Sequence, residues 1–272
     1  MKKIVLTNDI DHGSLERYKM IYEALNYNDL SVDTAIFCKL EDDKSKLATH
    51  CYENETLSLD NKEFVAFVKD MTSCGHSFSY HGYSQISNTR QKFLDGLKIF
   101  EDLLGFRPLA YIEHGGKYGY HDEQMVKKET LSYLGSDEKS EYFVKDIISD
   151  YFDLVWTQDY LLEGNNVSPK LFKKIDNIVY FNRVRNVNLL KQIKNHEILI
   201  GYTHFGYDGY LRPKLDWIPF FKKDNRKLES WSNTKQVSDA IKILKNLVKE
   251  QNVMFSTLKT LLDDHKYELR EK

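Results

Sequence analysis

Cysteine is scarce in this 272-residue chain: Cys38, Cys51 and Cys74 are the only three, with no paired spacing and no metal-type doublet. A disulfide framework is not expected, and the usage fits a reducing compartment. Long apolar runs are missing too. None approaches the roughly 18 residues that a spanning helix needs, so no membrane span is expected. Charge of one sign is also absent, since 39 basic against 41 acidic residues leave −2. A surface built to neutralise phosphates is not indicated, and nucleic acid is not an expected partner. The opening MKKIVLTND has two lysines but only Ile4, Val5 and Leu6 before polar Thr7, too short for a signal-peptide core, and the expected location is cytoplasmic. No repeat, linker or low-complexity tract divides the chain, so one domain over 1–272 is expected.

What is present is the composition of a soluble globular protein, 41% hydrophobic and 29% charged, long enough for one large core. Ile4 to Leu6 running into Thr7, Asn8 and Asp9 reads as a buried strand. Ser14 then caps a helix whose Leu15, Tyr18, Ile21, Tyr22 and Leu25 share one face. Strand-like runs recur at Val32–Leu40, Ser77–His81, Leu109–His114, Leu154–Asp159, Ile178–Phe181, Ile198–His204 and Val253–Thr257. Helical patterns separate most of them, at Lys62–Met71, Asn88–Leu104, Glu123–Leu134, Glu141–Phe152, Leu189–Lys194 and Thr234–Glu250. Such alternation predicts parallel strands with crossover helices, closing into an α/β barrel of seven or eight strands. Two stretches break the rhythm: a polar, loop-like 41–60 and an aromatic insertion at 207–233. Loops of that length are usually functional.

In parallel α/β folds the site gathers at the strand carboxyl ends. Those positions here hold Asp9, Asp11 and His12, then His81, then Glu113 and His114, then Asp159, then His204. Five strand ends carrying Asp, Glu or His point to a shared site, although any single one would be an ordinary strand end reaching solvent.

The segment GHSFSYHGYSQ, Gly75 to Gln85, is followed by a helix and the turn LLGFRP. It resembles the NodB-homology polysaccharide deacetylases (carbohydrate esterase 4-like), as a divergent member. Their second motif commonly reads GHEIGNHTYSH, matched here at Gly75, His76, His81, Tyr83 and Ser84. TNDID looks like the first motif, YIEHGGKYG sits at the third, LVWTQDY with Trp156 and Asp159 looks like the fourth, and GYTH looks like the fifth. The resemblance implies a distorted (β/α)7-type barrel that removes acetyl groups from N-acetylated sugars with a divalent metal, zinc by expectation. Its implied roles are Asp9 as general base, Asp11 and His81 as metal ligands, and His204 as general acid. Glu113, His114, Trp156 and Asp159 would contact a carbohydrate or other sugar-containing substrate.

Gln85 stands where the family has its second metal histidine, and an amide oxygen is a poorer zinc ligand than imidazole. The departure implies a weak site, a third ligand from His12 or His114, or no metal. The third-motif arginine and prolines are also replaced, by Glu113, His114, Gly115 and Gly116. Two other readings stay open: a non-catalytic carbohydrate-binding barrel with aromatic loops stacking on sugars, and a phosphatase of the haloacid-dehalogenase type using Asp9-x-Asp11. His76 is expected to be a structural hydrogen-bonder.

Overall fold

The computed structural model describes residues 2–10, 14–40, 57–84, 88–114, 138–139, 141–157, 171–175, 177–185, 196–203, 238–239, 241–242, 245–246, 249–250 and 252–270. Six of the eight residues of β1 (Lys2–Asp9) are buried, which marks it as a strand covered on both faces. It lies between β2 (Asp33–Phe37) and β9 (Ile198–Thr203), with β10 (Val253–Ser256) beside its first half. Beyond β2 come β3 (Ser77–Gly82), β4 (Ala110–Ile112), β5 (Leu154–Trp156) and β7 (Ile178–Phe181), and beyond β9 comes β8 (Val184–Arg185). These pairings are all parallel. Among the described strands only β6 (Phe172–Ile175) runs antiparallel, forming a hairpin with β7 in which Asn177 takes a left-handed conformation at φ 68°.

The result is a mostly parallel sheet curled into a half-barrel, as the strand and helix alternation predicts. Strand number differs from the seven or eight expected, because the described residues form ten strands in this sheet. Two of these, β6 and β8, are short pieces that no apolar run announces.

Alternation along each strand divides the core in two. Ile4 and Leu6 of β1, with Ile10 just after it, join Val155, Tyr180 and Leu199 against the helices. Val5 joins Ala35, Ala110, Ile112, Leu154, Phe181 and Ile200 on the inner face, where Leu258 and Leu261 also pack. Those two leucines belong to α5 (Leu258–Arg270), the helix that follows β10.

Helices form where caps and apolar spacing agree. Ser14 accepts from the Arg17 N–H at the start of α1 (Leu15–Tyr27), whose buried residues include all five expected from the sequence. Asn61 accepts from Glu63 and Phe64 N–H groups to start α2 (Lys62–Ser73), and Thr89 accepts from Lys92 to start α3 (Arg90–Leu104). Gly96 of α3 lies directly over the Tyr80 hydroxyl, where any Cβ would collide, and Tyr80 donates to the Phe93 carbonyl at 3.0 Å. Two expectations need correction. The run 141–152 is helical only in α4 (Lys145–Tyr151); the turn before it docks on Arg90, which donates to the Phe143 carbonyl at 2.8 Å and holds Asp146 through two 2.7 Å bonds. The end of the stretch read as a polar loop is packed rather than solvated, with Leu57 and Leu59 buried and Ser58 bridged to Phe37. The other expected loop, 207–233, lies outside the described residues, as do the helical patterns at 123–134 and 189–194.

Candidate active site

Thr7 and Asp9 follow Val5 on the inner face of β1, so the lumen changes from apolar to polar toward the strand carboxyl ends. Register extends this polar layer sideways: Thr7 lies opposite Asp33, Asp9 opposite Ala35, and these in turn lie opposite Ser77 and Ser79. Ser77 and Ser79 each donate to the Asp33 carboxylate at 2.7 Å. Burial pushes the Asp33 carboxyl above the usual range, while the two serine bonds and the charge of Arg183 pull it back.

Asp9 is 4% exposed, and both of its oxygens are held end-on by Arg183, Nη1 to Oδ1 and Nη2 to Oδ2, each at 2.6 Å. The guanidinium carbon lies 3.7 Å from the ring centre of Trp156 and 4.5 Å from that of Tyr202. A buried, bidentate arginine stacked on two aromatic rings is fixed in position as well as charge. Thr7 completes the contact, since its hydroxyl lies 3.5 Å from Nη1 and donates to the Gly201 carbonyl at 3.0 Å.

These contacts also show how far the sheet curls. Five strand steps separate β7 from β1, and five separate β5 from β9. In a flat sheet each separation would be about 24 Å. Instead, Arg183 at the end of β7 touches Asp9 of β1, and the Trp156 and Tyr202 ring centres are 6.0 Å apart. Chain connectivity explains the closure: β7 lies beside β5 and β8 beside β9, so Asn182 and Arg183 carry the backbone across the gap.

On the opposite side stands His81, 2% exposed, at the carboxyl end of β3. A register shift between Ile36 and Phe37 sets Phe37 opposite Gly82 and leaves His81 as the extra residue of a bulge, a device that re-aims a side chain. Gly82 is required there: its φ is +128°, and a Cβ would meet Asn88 Oδ1 at 2.5 Å. His81 Nδ1 lies 2.5 Å from the Ile112 carbonyl oxygen. A carbonyl can only accept, so Nδ1 donates to it. His114 follows β4 with its ring centre 5.2 Å from that of His81, and Phe37 packs on both at 4.7 and 5.2 Å.

By register, His81 stands two strands over from Asp9 and two residues further on, about 12 Å backbone to backbone, within one substrate-sized pocket. Asp9, His81, His114 and Trp156 are therefore brought to one end of the lumen. Glu113 is buried beside them, its N–H donating to the Trp156 carbonyl at 3.0 Å. Asp11, His12, Gln85, Asp159 and His204 lie outside the described residues. Among the described residues no group of three His, Cys, Asp or Glu is placed to hold a metal.

Arg183, Tyr202, Thr7 and Asp33 are site residues that the sequence reading missed. Arg183 had a visible signal: it stands two positions past the strand Ile178–Phe181, the same carboxyl-end location that singled out the other candidates. His76 is structural as expected. Its Nδ1 accepts from the Val32 N–H at 3.2 Å and its Nε2 bonds Asn26 Oδ1 at 2.9 Å.

No family model and no curated protein matches the chain. Solved structures do match. A probable polysaccharide deacetylase from Pseudomonas aeruginosa PAO1 is 8% identical with a TM-score of 0.50, over 98% of this chain and 91% of that one. The allantoinase Puue is 8% identical with a TM-score of 0.49, over 97% and 89%. A family 4 acetyl xylan esterase from Clostridium thermocellum, in complex with a cobalt ion, is 11% identical with a TM-score of 0.41, over 96% and 91%. At 8% identity the likeness to the Pseudomonas structure is one of fold, and it agrees with the mostly parallel, curled sheet described above.

Proposed function

We propose that this protein hydrolyses an acyl group, in the first instance acetyl, from the nitrogen of an amino sugar or glycan precursor. The observation that carries the reading is the convergence of Asp9 and His81, from the two segments that resemble deacetylase motifs, at the polar end of one lumen. Water and the amide give a carboxylic acid and a free amine, so the reaction needs a group to take a proton from water and another to give one to nitrogen.

Asp9 is assigned the first role. The end-on arginine takes one lone pair of each carboxylate oxygen and fixes the direction in which Asp9 faces the lumen. Arg183 acts as its positioning residue, denying the carboxylate any other rotamer. His204, which follows the last residue of β9, is assigned the second role. A bound divalent ion, zinc by preference, would polarise the acyl carbonyl. His81, whose Nδ1 donates to the Ile112 carbonyl in the usual second-layer arrangement, is assigned as one ligand on the family resemblance. Asp11 is assigned as a further ligand on the family resemblance. Trp156, Asp159 and Glu113 are assigned to the sugar, with His114 beside them, and Trp156 is half-buried, with one ring face already occupied by Arg183. A cytoplasmic location accords with precursor-sized substrates and is proposed with them.

A second reading, a sugar-binding barrel without catalysis, has one observation in its favour: both oxygens of Asp9 are already neutralised by a buried partner. A screen of N-acetylated sugars and sugar nucleotides for acetate and for the free amine separates the two. Equimolar acetate and amine from one substrate is the expected result. Saturable sugar binding with no acetate from any of them would establish the binding module instead.

A further inference from the structure

We infer that Arg183 is a catalytic residue as well as the partner of Asp9: the outer edge of its guanidinium, Nε–H with the second Nη2–H, receives the oxygen of the substrate's acyl carbonyl. The inference rests on the hydrolysis proposed above and deepens it by naming the chain's own donor to the reacting oxygen.

The observation is an unpaired donor. A guanidinium carries five N–H bonds in one plane. Two point at Asp9, one from each Nη, and the Thr7 hydroxyl lies 3.5 Å from Nη1. That leaves Nε–H and the second Nη2–H, which run parallel and form a two-pronged edge. Among the described residues Nε has no hydrogen-bond partner, although the side chain is buried. A charged group's donor left unmet and out of water is costly, so this edge calls for an acceptor that the fold does not supply. It is reached past Trp156 and Tyr202, the two rings on which the guanidinium rests, and both are only half-buried.

Charge selects the kind of acceptor. Asp9 neutralises the guanidinium, and Asp33, whose oxygens accept from Ser77 and Ser79, lies within its field. A further anion would add uncompensated charge to a buried layer. An amide carbonyl is neutral, and its oxygen has two lone pairs for the two prongs.

Spacing then suits the reaction. Two acceptors on the two hydrogens of one nitrogen lie about 5 Å apart, which leaves room for a water between Asp9 Oδ2 and the acyl carbon. The water oxygen bonds to that carbon, the carbonyl π pair moves onto the acyl oxygen, and the water proton passes to Asp9. Negative charge leaves one side of the guanidinium as it appears on another, so the net charge of the buried group does not change. When the carbonyl re-forms, the C–N bond breaks and the nitrogen takes its proton from the general acid.

The test is a 1H–15N correlation spectrum of the arginine Nε–H groups in the full-length wild-type protein. The Arg183 signal is identified by its loss in Arg183→Lys or, should that variant not fold, by its proximity to the Trp156 and Tyr202 ring protons. N-acetylglucosamine is the probe, with backbone amide shifts reporting its binding independently. The Arg183 Nε proton is expected to move downfield and to saturate together with those shifts, which a purely structural arginine would not do. Arg183→Lys keeps a cation opposite Asp9 but has no two-pronged edge, so its kcat for acetate release should fall about 10²- to 10³-fold while KM changes far less. Saturable binding with the Arg183 signal unmoved overturns the inference and leaves the proposed hydrolysis standing, as does a folded Arg183→Lys protein working at the wild-type rate. Absence of probe binding also overturns it, and whether the hydrolysis falls too is read separately from the acetate screen.

Discussion

The two sides of the lumen mouth are built on opposite principles. On the β1 side, Asp9 is satisfied within the fold by a buried arginine that is itself stacked between two rings. On the β3–β4 side, two imidazoles stand together around a phenylalanine, with one nitrogen of His81 tied to backbone. The first side is closed by an ion pair within the fold; the second is built from ring packing and one backbone contact. The comparison teaches that half of this site is also a closure of the fold, since Arg183 sits where the chain crosses between the two ends of the curled sheet.

Removing one partner of a buried ion pair strands the other charge. Arg183→Ala should therefore cost about 3–5 kcal/mol, read by urea unfolding. His81→Ala should cost less in the same measurement, because it leaves no charge behind. Equal losses would mean that the two sides are equally structural and would break the contrast. Adding Asp9→Asn to the arginine variant should recover part of the loss, which a double-mutant cycle would read as coupling between the two.

A second buried histidine, His76, gives a contrast with His81. His76 uses both ring nitrogens inside the fold, accepting from Val32 and bonding Asn26, so it has no donor atom to offer. Burial lowers its pKa to about 4 from an ordinary 6.5. The unfolded chain thus binds a proton that the folded chain refuses between those values. Stability from this site is present in full above about pH 6.5 and is lost as pH falls toward 4, by on the order of 2–3 kcal/mol. Urea midpoints at pH 7 and pH 4.5 should show a drop in wild type that His76→Gln reduces. An undiminished drop in that variant would assign the acid sensitivity elsewhere.

Much of this was legible in the sequence because it is local. The apolar face of α1, the buried run of β1 and the polar residues at the ends of β1, β3 and β4 each follow from period and position. The pairing of Arg183 was not, since Asp9 is 174 residues away and the two meet only because the sheet curls. The hairpin strand β6, FKKI, was hidden for a different reason: two of its four residues are lysines, so it gives no apolar run. His81 was found by its position at a strand end, but the bulge that turns it depends on register with Phe37, which no pattern in one strand reveals.

The central claim, that the charge-paired Asp9 works as a base, is tested most directly by the rate of acetate release from the best substrate of the screen in wild type and Asp9→Asn. Asparagine keeps the shape and one acceptor oxygen but cannot take the proton. The rate should fall about 10²- to 10⁴-fold, with circular dichroism showing the variant folded. A folded Asp9→Asn protein releasing acetate at the wild-type rate would contradict the account and leave the Asp9–Arg183 pair as a structural clasp alone.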